Sequence, residues 1–85
     1  MIDQAPIAVL CEMVRGYHER YRHPINERTR FKRDLKMDAV DFLDLVLRIE
    51  ARFSCRLDDE LLANVVNVGQ LELLLEKALA ERNEK

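Results

Sequence analysis

Residues 34–53 read Asp-Leu-Lys-Met-Asp-Ala-Val-Asp-Phe-Leu-Asp-Leu-Val-Leu-Arg-Ile-Glu-Ala-Arg-Phe, and the register of this stretch decides the fold. Asp38 precedes an apolar run at helical spacing, where an aspartate can cap exposed backbone N–H groups, and Asp41 completes a capping-box-like pair. A helix is therefore predicted to open at Asp38. Leu43, Val46, Ile49 and Phe53, joined by Leu45, form its buried stripe. Val40, Phe42 and Leu47 fall largely outside that stripe. Three exposed apolar residues on one short helix are more than packing requires, and they suggest a partner surface.

Upstream, a first helix is expected to start near Asp3 or Ala5, with Pro6 suited to its first turn. Ile7, Leu10, Cys11, Val14, Tyr17 or His18, and Tyr21 mark its apolar face. His23-Pro24 ends it, because the residue before proline is pushed away from α geometry. Residues 23–37 then form a long, basic connection with Phe31 and Leu35 as apolar anchors; a loop this long in a small domain is functional or specifically packed.

Downstream, residues 54–57 read as a linker, and Asp58-Asp59-Glu60 supply acids for the dipole of a short third helix ending near Val65. Asn67 is placed to cap a fourth helix from Val68 to about Glu81, with Val68, Leu71, Leu75, Ala78 and Leu79 on its apolar face. The expected fold is all-α: a small four-helix bundle over residues 1–85 as one domain, with a long loop between helices 1 and 2 and a short helix 3.

Composition agrees. Two glycines, two prolines, 48% apolar and 35% charged residues favour a soluble helical domain. The net charge of −2 conceals an asymmetry. Residues 15–36 carry eight Arg/Lys against three acids, whereas residues 37–85 carry eleven acids against six bases. Such a split implies oriented docking more than generic polyanion binding. Cys11 and Cys55 are too few for a disulfide framework or a metal knuckle and read as packed thiols. The chain opens without the layout of a signal peptide, and its apolar runs fall far short of the roughly 20 residues needed to span a bilayer. A cytoplasmic protein without membrane insertion is expected.

The 34–53 stretch resembles the phosphopantetheine-attachment segment of acyl carrier proteins, which reads roughly D-L-G-x-D-S-L-D-x-(V/L)-E-L-V-x-x-(L/I)-E-x-x-F. Asp34-Leu35 matches its opening, Asp38-Ala39-Val40 lies on D-S-L, Asp41 and Asp44 on the acidic pair, and Glu50 and Phe53 on the closing E and F. Further on, Leu57 and Asp59-Glu60 lie on the family's I-P-D-E, with Asp58 in place of proline. Val65 through Gly69 lie on I-x-T-V-G, with Asn67 in place of threonine. The first helix shows no motif. The resemblance implies a four-helix bundle of acyl-carrier type whose serine is esterified with 4′-phosphopantetheine by a dedicated transferase. Ketosynthases, reductases and related acyl-processing enzymes then act on thioesters carried by that arm. It assigns Ala39 and Asp38 to the cofactor position, and Val40, Asp41, Asp44, Leu47, Glu50 and Leu57 to partner binding.

Ala39 stands where serine is expected, and without a hydroxyl it cannot form the phosphodiester. Two origins are open. An engineered serine-to-alanine change, made to keep the protein unmodified, is favoured because the flanking Asp38, Val40, Asp41 and Asp44 are intact. A natural loss would leave a carrier-like partner-binding module. On the first account the resemblance implies a non-enzymatic carrier of fatty-acid or polyketide-type biosynthesis, on the second a module that only binds partners. A chain monomeric when alone is expected, and on both accounts no cofactor is possible at Ala39.

Other classes find less support. His18 and His23 do not share a helix face, neither has a nucleophile partner, and no catalytic or metal residue is assigned. Asp58-Asp59-Glu60 is explained more simply as a helix start than as a cation site. Arg28, Arg30, Lys32 and Arg33 beside Phe31 could contact nucleic-acid phosphates. The acidic second helix opposes that reading, so no nucleic-acid partner is expected. The basic cluster could instead meet an acidic enzyme or fold back onto Asp41, Asp44 or Glu50.

Overall fold

The computed structural model describes residues 6–16 and 23–83. Its helices are α1 (Pro6–Arg15), α2 (Ala39–Phe53), α3 (Asp59–Leu62) and α4 (Val68–Asn83), with no strand among the described residues. The fold is the all-α bundle expected, with the long loop and the short third helix in place. Helix α1 packs chiefly on α4 and also meets α2, while α3 packs on α4. Pro6 is the first residue of α1. The proposed start at Asp3 or Ala5, the continuation through Tyr17, His18 and Tyr21, and the stop at His23 fall wholly or partly outside the described residues.

The core is built from Leu10, Val14, Phe31, Leu35, Leu45, Ile49, Leu71 and Leu75, with Met37, Val46, Leu57, Leu62 and Val68 completing it. Both loop anchors behave as expected: Phe31 and Leu35 are buried. The loop is more than pinned, however. Asn26 and Thr29 close a turn, the Asn26 N–H donating to Thr29 Oγ1 at 3.0 Å, and Thr29 is buried. Backbone bonds then stitch the loop to the α3–α4 connection: Phe31 N–H to Val66 O at 3.0 Å, Val68 N–H to Thr29 O at 2.9 Å and Gly69 N–H to Glu27 O at 2.8 Å.

This seam explains Gly69. A Cβ there would lie 2.9 Å from Glu27 Cβ and 3.0 Å from Glu27 O, so the loop must move to admit it. Gly69→Ala is expected to cost roughly 1–3 kcal/mol through overpacking, outweighing its gain in helix propensity. A urea titration monitored by circular dichroism measures it.

Helix α2 corrects the expected stripe in one respect. Leu43 is 58% exposed, whereas Phe42 is half-buried, its ring edge-to-face with Phe31 at 5.1 Å between centroids. At about 100° per residue, position 42 falls close to 46, 49 and 53, while 43 falls within about 60° of 40 and 47. The nearly continuous apolar run over 42–47, broken only by Asp44, hid that choice. Phe42 therefore belongs to the inner face and Leu43 to the outer one.

The helix ends follow local chemistry. Asp38 caps α2, its Oδ1 accepting the Asp41 N–H at 2.8 Å. Ser54 closes α2 in the left-handed region at φ 54°, its N–H donating to Glu50 O. Asp58 caps α3, accepting from the Glu60 N–H at 2.8 Å. That helix stops at Leu62, short of Val65, and Ala63 and Asn64 continue as turn. Asn67 accepts the Gln70 N–H at 2.9 Å, and Gln70 Oε1 accepts the Asn67 N–H at 3.2 Å in return. This is a full reciprocal cap on α4.

One charged cluster lies on the α1–loop–α4 side. Burial raises the half-buried Glu72 carboxyl above the usual carboxylate range, with Glu76 and then Glu27 adding repulsion. Burial likewise pushes the Cys11 thiol up, helped by Glu27 and Glu72 and opposed by Arg15, which makes it a poor nucleophile at neutral pH. A raised Glu72 value means the folded state holds that proton more tightly than the unfolded chain. Its stabilising effect is complete below the unfolded value and is lost as pH rises through the folded one. Glu72→Gln should therefore flatten this dependence just above the ordinary carboxylate range and leave the variant more stable than the parent at neutral pH, as read from urea midpoints across pH.

Candidate attachment position and docking face

Ala39 is the first residue of α2, directly after the capping Asp38, and its side chain is exposed. It borders a cleft of ≈ 420 Å³ whose walls include Phe31, Met37, Phe42, Leu62 and Val65, with Lys32 and Asp38 as its charged members. Met37 and Phe42 occupy the N′ and N4 positions of a hydrophobic staple around the cap, which fixes how the chain enters α2. Asp38 accepts the Asp41 N–H through its side chain and the Phe42 N–H through its carbonyl at 3.0 Å. The remaining first-turn amides and the positive end of the helix dipole make this end favourable for an anionic group.

From Ala39 the outer face of α2 runs through Val40, Leu43 and Leu47, which are 75%, 58% and 55% exposed. Leu61 and Val66 add exposed apolar surface from α3 and the segment after it. Acids border the α2 row. Asp41 and Asp44 are half-buried, and Asp44 pairs with Arg48 one turn on at 3.1 Å. An apolar row with a charged rim is the anatomy of a protein-binding surface.

Comparison with known proteins agrees with this geometry. Residues 8–75 match the profile of the family described as phosphopantetheine attachment site. An acyl carrier protein of Phytoplasma australiense is 38% identical over 56 residues, covering 66% of this chain and 74% of that protein. The chain is 37% identical to acyl carrier protein 3, mitochondrial, of Arabidopsis thaliana over 51 residues, 60% of this chain and 39% of that one. Acyl carrier protein 3 of Ralstonia nicotianae is 38% identical over 52 residues, 61% of this chain and 60% of the other. The chain belongs to the acyl carrier protein family.

Within this carrier fold the expected site residues divide. Asp38, Ala39, Val40, Asp41, Asp44 and Leu47 come together along the amino end and outer face of α2. Leu57 does not join them: it is 6% exposed, and its side chain belongs to the core. Glu50 has a structural task, because its Oε2 accepts the Leu57 N–H at 2.8 Å and so ties the α2–α3 connection to α2. Glu50→Ala should cost about 1–2 kcal/mol through the orphaned amide, visible in the urea midpoint. A binding defect in that variant is therefore to be read against its stability.

Sequence reasoning missed Leu43 on the exposed apolar row and Lys32 on the cleft wall. The helical angle could have placed the first; the loop position of the second carries no sequence signal. Among the described residues no group of His, Cys, Asp and Glu is arranged to hold a metal, and no helix is long and apolar enough to cross a membrane.

The family's prosthetic group does not fit position 39 as the chain stands. The Ala39 methyl offers no oxygen for a phosphodiester, so that group cannot be attached there.

Proposed function

We propose that this chain is a carrier-fold protein that presents α2 to acyl-processing enzymes, with residue 39 as the attachment position and its loading blocked by the missing hydroxyl. The observation that carries this reading is the register of α2. Residue 39 stands exposed at the amino end behind an aspartate cap, and the apolar row with its acidic rim starts at the next residue. In its serine form the protein carries acyl intermediates as thioesters on 4′-phosphopantetheine, in a fatty-acid or polyketide-type pathway of the cytoplasm. Phosphopantetheinyl transferase and ketosynthase are the first partners to test. Val40, Leu43 and Leu47 form the contact centre, and Asp41 and Asp44 its rim. Glu50 and Leu57, given their placement, support that face from within.

Nucleic-acid binding through the basic loop loses its best feature. Phe31, the aromatic that stacking on bases would require, is buried in the core. Installing the hydroxyl as Ala39→Ser and offering coenzyme A with a promiscuous phosphopantetheinyl transferase tests the reading by mass; a serine form that stays unmodified contradicts it.

A further inference from the structure

The α2 row leaves the most basic segment of the chain without a role. The loop from Arg28 to Lys36 presents Arg28, Lys32, Arg33 and Lys36 as exposed cations. Among the described residues, the ion pair formed within this loop is Arg30 with Asp34 at 3.7 Å, closed by the Arg30 N–H donating to Asp34 Oδ2 at 2.8 Å. The loop is also built to hold its shape. Its Asp34 and Leu35 amides both return to Arg30 O, Met37 N–H bonds Phe31 O at 2.9 Å, and Phe31, Leu35 and Met37 are buried beneath it. A fixed scaffold thus displays exposed cationic side chains.

Position matters as much as charge. Lys32 shares the cleft wall with Asp38 and Ala39, and Phe31 beneath the loop touches Phe42 of α2. Anything that reaches residue 39 meets the basic loop on one side and Asp41 and Asp44 on the other. A single-sign polyanion would be attracted by the first and repelled by the second. A lipid surface would need an apolar side chain to bury, yet the loop's large apolar residues already lie inside the core.

We propose that the loop Arg28–Lys36 is the second half of the docking surface and takes an acidic patch on the same protein partner that covers α2 with a basic one. This rests on the docking role proposed above for α2. The partner's footprint is then dipolar, and the order of charges selects both partner and orientation, since like-charge juxtaposition penalises reversed docking.

Three helical peptides titrated into isotopically labelled protein at about 0.15 M salt test this by amide chemical shifts: a lysine block, a glutamate block, and the two joined. The lysine block is expected to shift residues around Asp41 and Asp44, and the glutamate block residues 28–36. The joined peptide should bind at least ~10-fold more tightly than either alone, because the second contact becomes intramolecular. Arg28→Glu/Lys32→Glu/Arg33→Glu should abolish that gain while leaving the lysine block unaffected; the neutral Arg28→Gln/Lys32→Gln/Arg33→Gln should lose most of it. If the joined peptide binds no better than its stronger half, or a DNA duplex or anionic vesicle outcompetes the glutamate block for residues 28–36, the inference is overturned. Failure of the lysine block at α2 would instead contradict the docking role of that helix.

Discussion

Ala39→Ser protein incubated with coenzyme A and a promiscuous phosphopantetheinyl transferase should gain the mass of one phosphopantetheine, while the parent chain gains none. The effect is all-or-none, because it depends on whether a nucleophilic oxygen exists. Residue 39 is exposed at the start of α2, and Asp38 holds the turn by accepting the Asp41 N–H at 2.8 Å. A phosphodiester formed there meets unpaired amides and the positive end of the helix dipole, worth about 0.3–1 kcal/mol at an exposed site. The substitution adds one oxygen at an exposed position, so the fold should tolerate it and thermal unfolding should move little. A serine form that folds normally yet resists modification would favour a natural partner-binding module over an unloaded carrier.

The second large effect concerns the rim and centre of α2. In the Ala39→Ser background, Asp41→Lys/Asp44→Lys is expected to lower the transferase's kcat/KM by about 10- to 100-fold at low salt, with the loss shrinking as salt rises, because rim charges act mainly on encounter. Leu47→Ala should cost more than about 1 kcal/mol of the same quantity independently of salt, if Leu47 sits at the desolvated centre of the contact. Neither change should unfold the protein. The Asp41 amide bond to Asp38 is a backbone donor that survives any side chain at 41. Asp44 loses an exposed pair with Arg48, of a kind worth about 0.3–0.5 kcal/mol. Salt-independent losses from Asp41 and Asp44, or no loss from Leu47, would move the docking surface elsewhere.

Much of this fold could be read before any coordinates, for physical reasons. Caps and first-turn acids are local, so Asp38, the acids from Asp58 to Glu60, and Asn67 announced three helix starts within a residue or so of where they occur. Core residues at helical spacing did the same for Val68, Leu71 and Leu75. The glutamine three residues after Asn67 was an equally local signal for the reciprocal cap on α4 and could have been used. Long-range contacts were not legible in this way. That Phe42 rather than Leu43 turns inward could have been read from the helical angle; that its ring meets Phe31, a residue from another segment, could not. That Glu50 serves the Leu57 amide depends on where the chain goes after Ser54. The burial of Thr29 and the need for glycine at 69 both arise from the loop lying against the start of α4, a contact no periodicity encodes. At the site, the start of α2 and its outer acids were visible in the 34–53 register. The shared cleft that joins Lys32 to Ala39 was not.

The most direct measurement is the location of the new group in modified Ala39→Ser protein, by fragmentation of its peptides in a mass spectrometer. Ser54 is the sole serine of the parent chain, so the variant offers the transferase two serine hydroxyls at two ends of the same helix. Phosphopantetheine found on residue 39 alone is the predicted result. Phosphopantetheine on Ser54, or on neither, would contradict the assignment of the amino end of α2 as the carrier position.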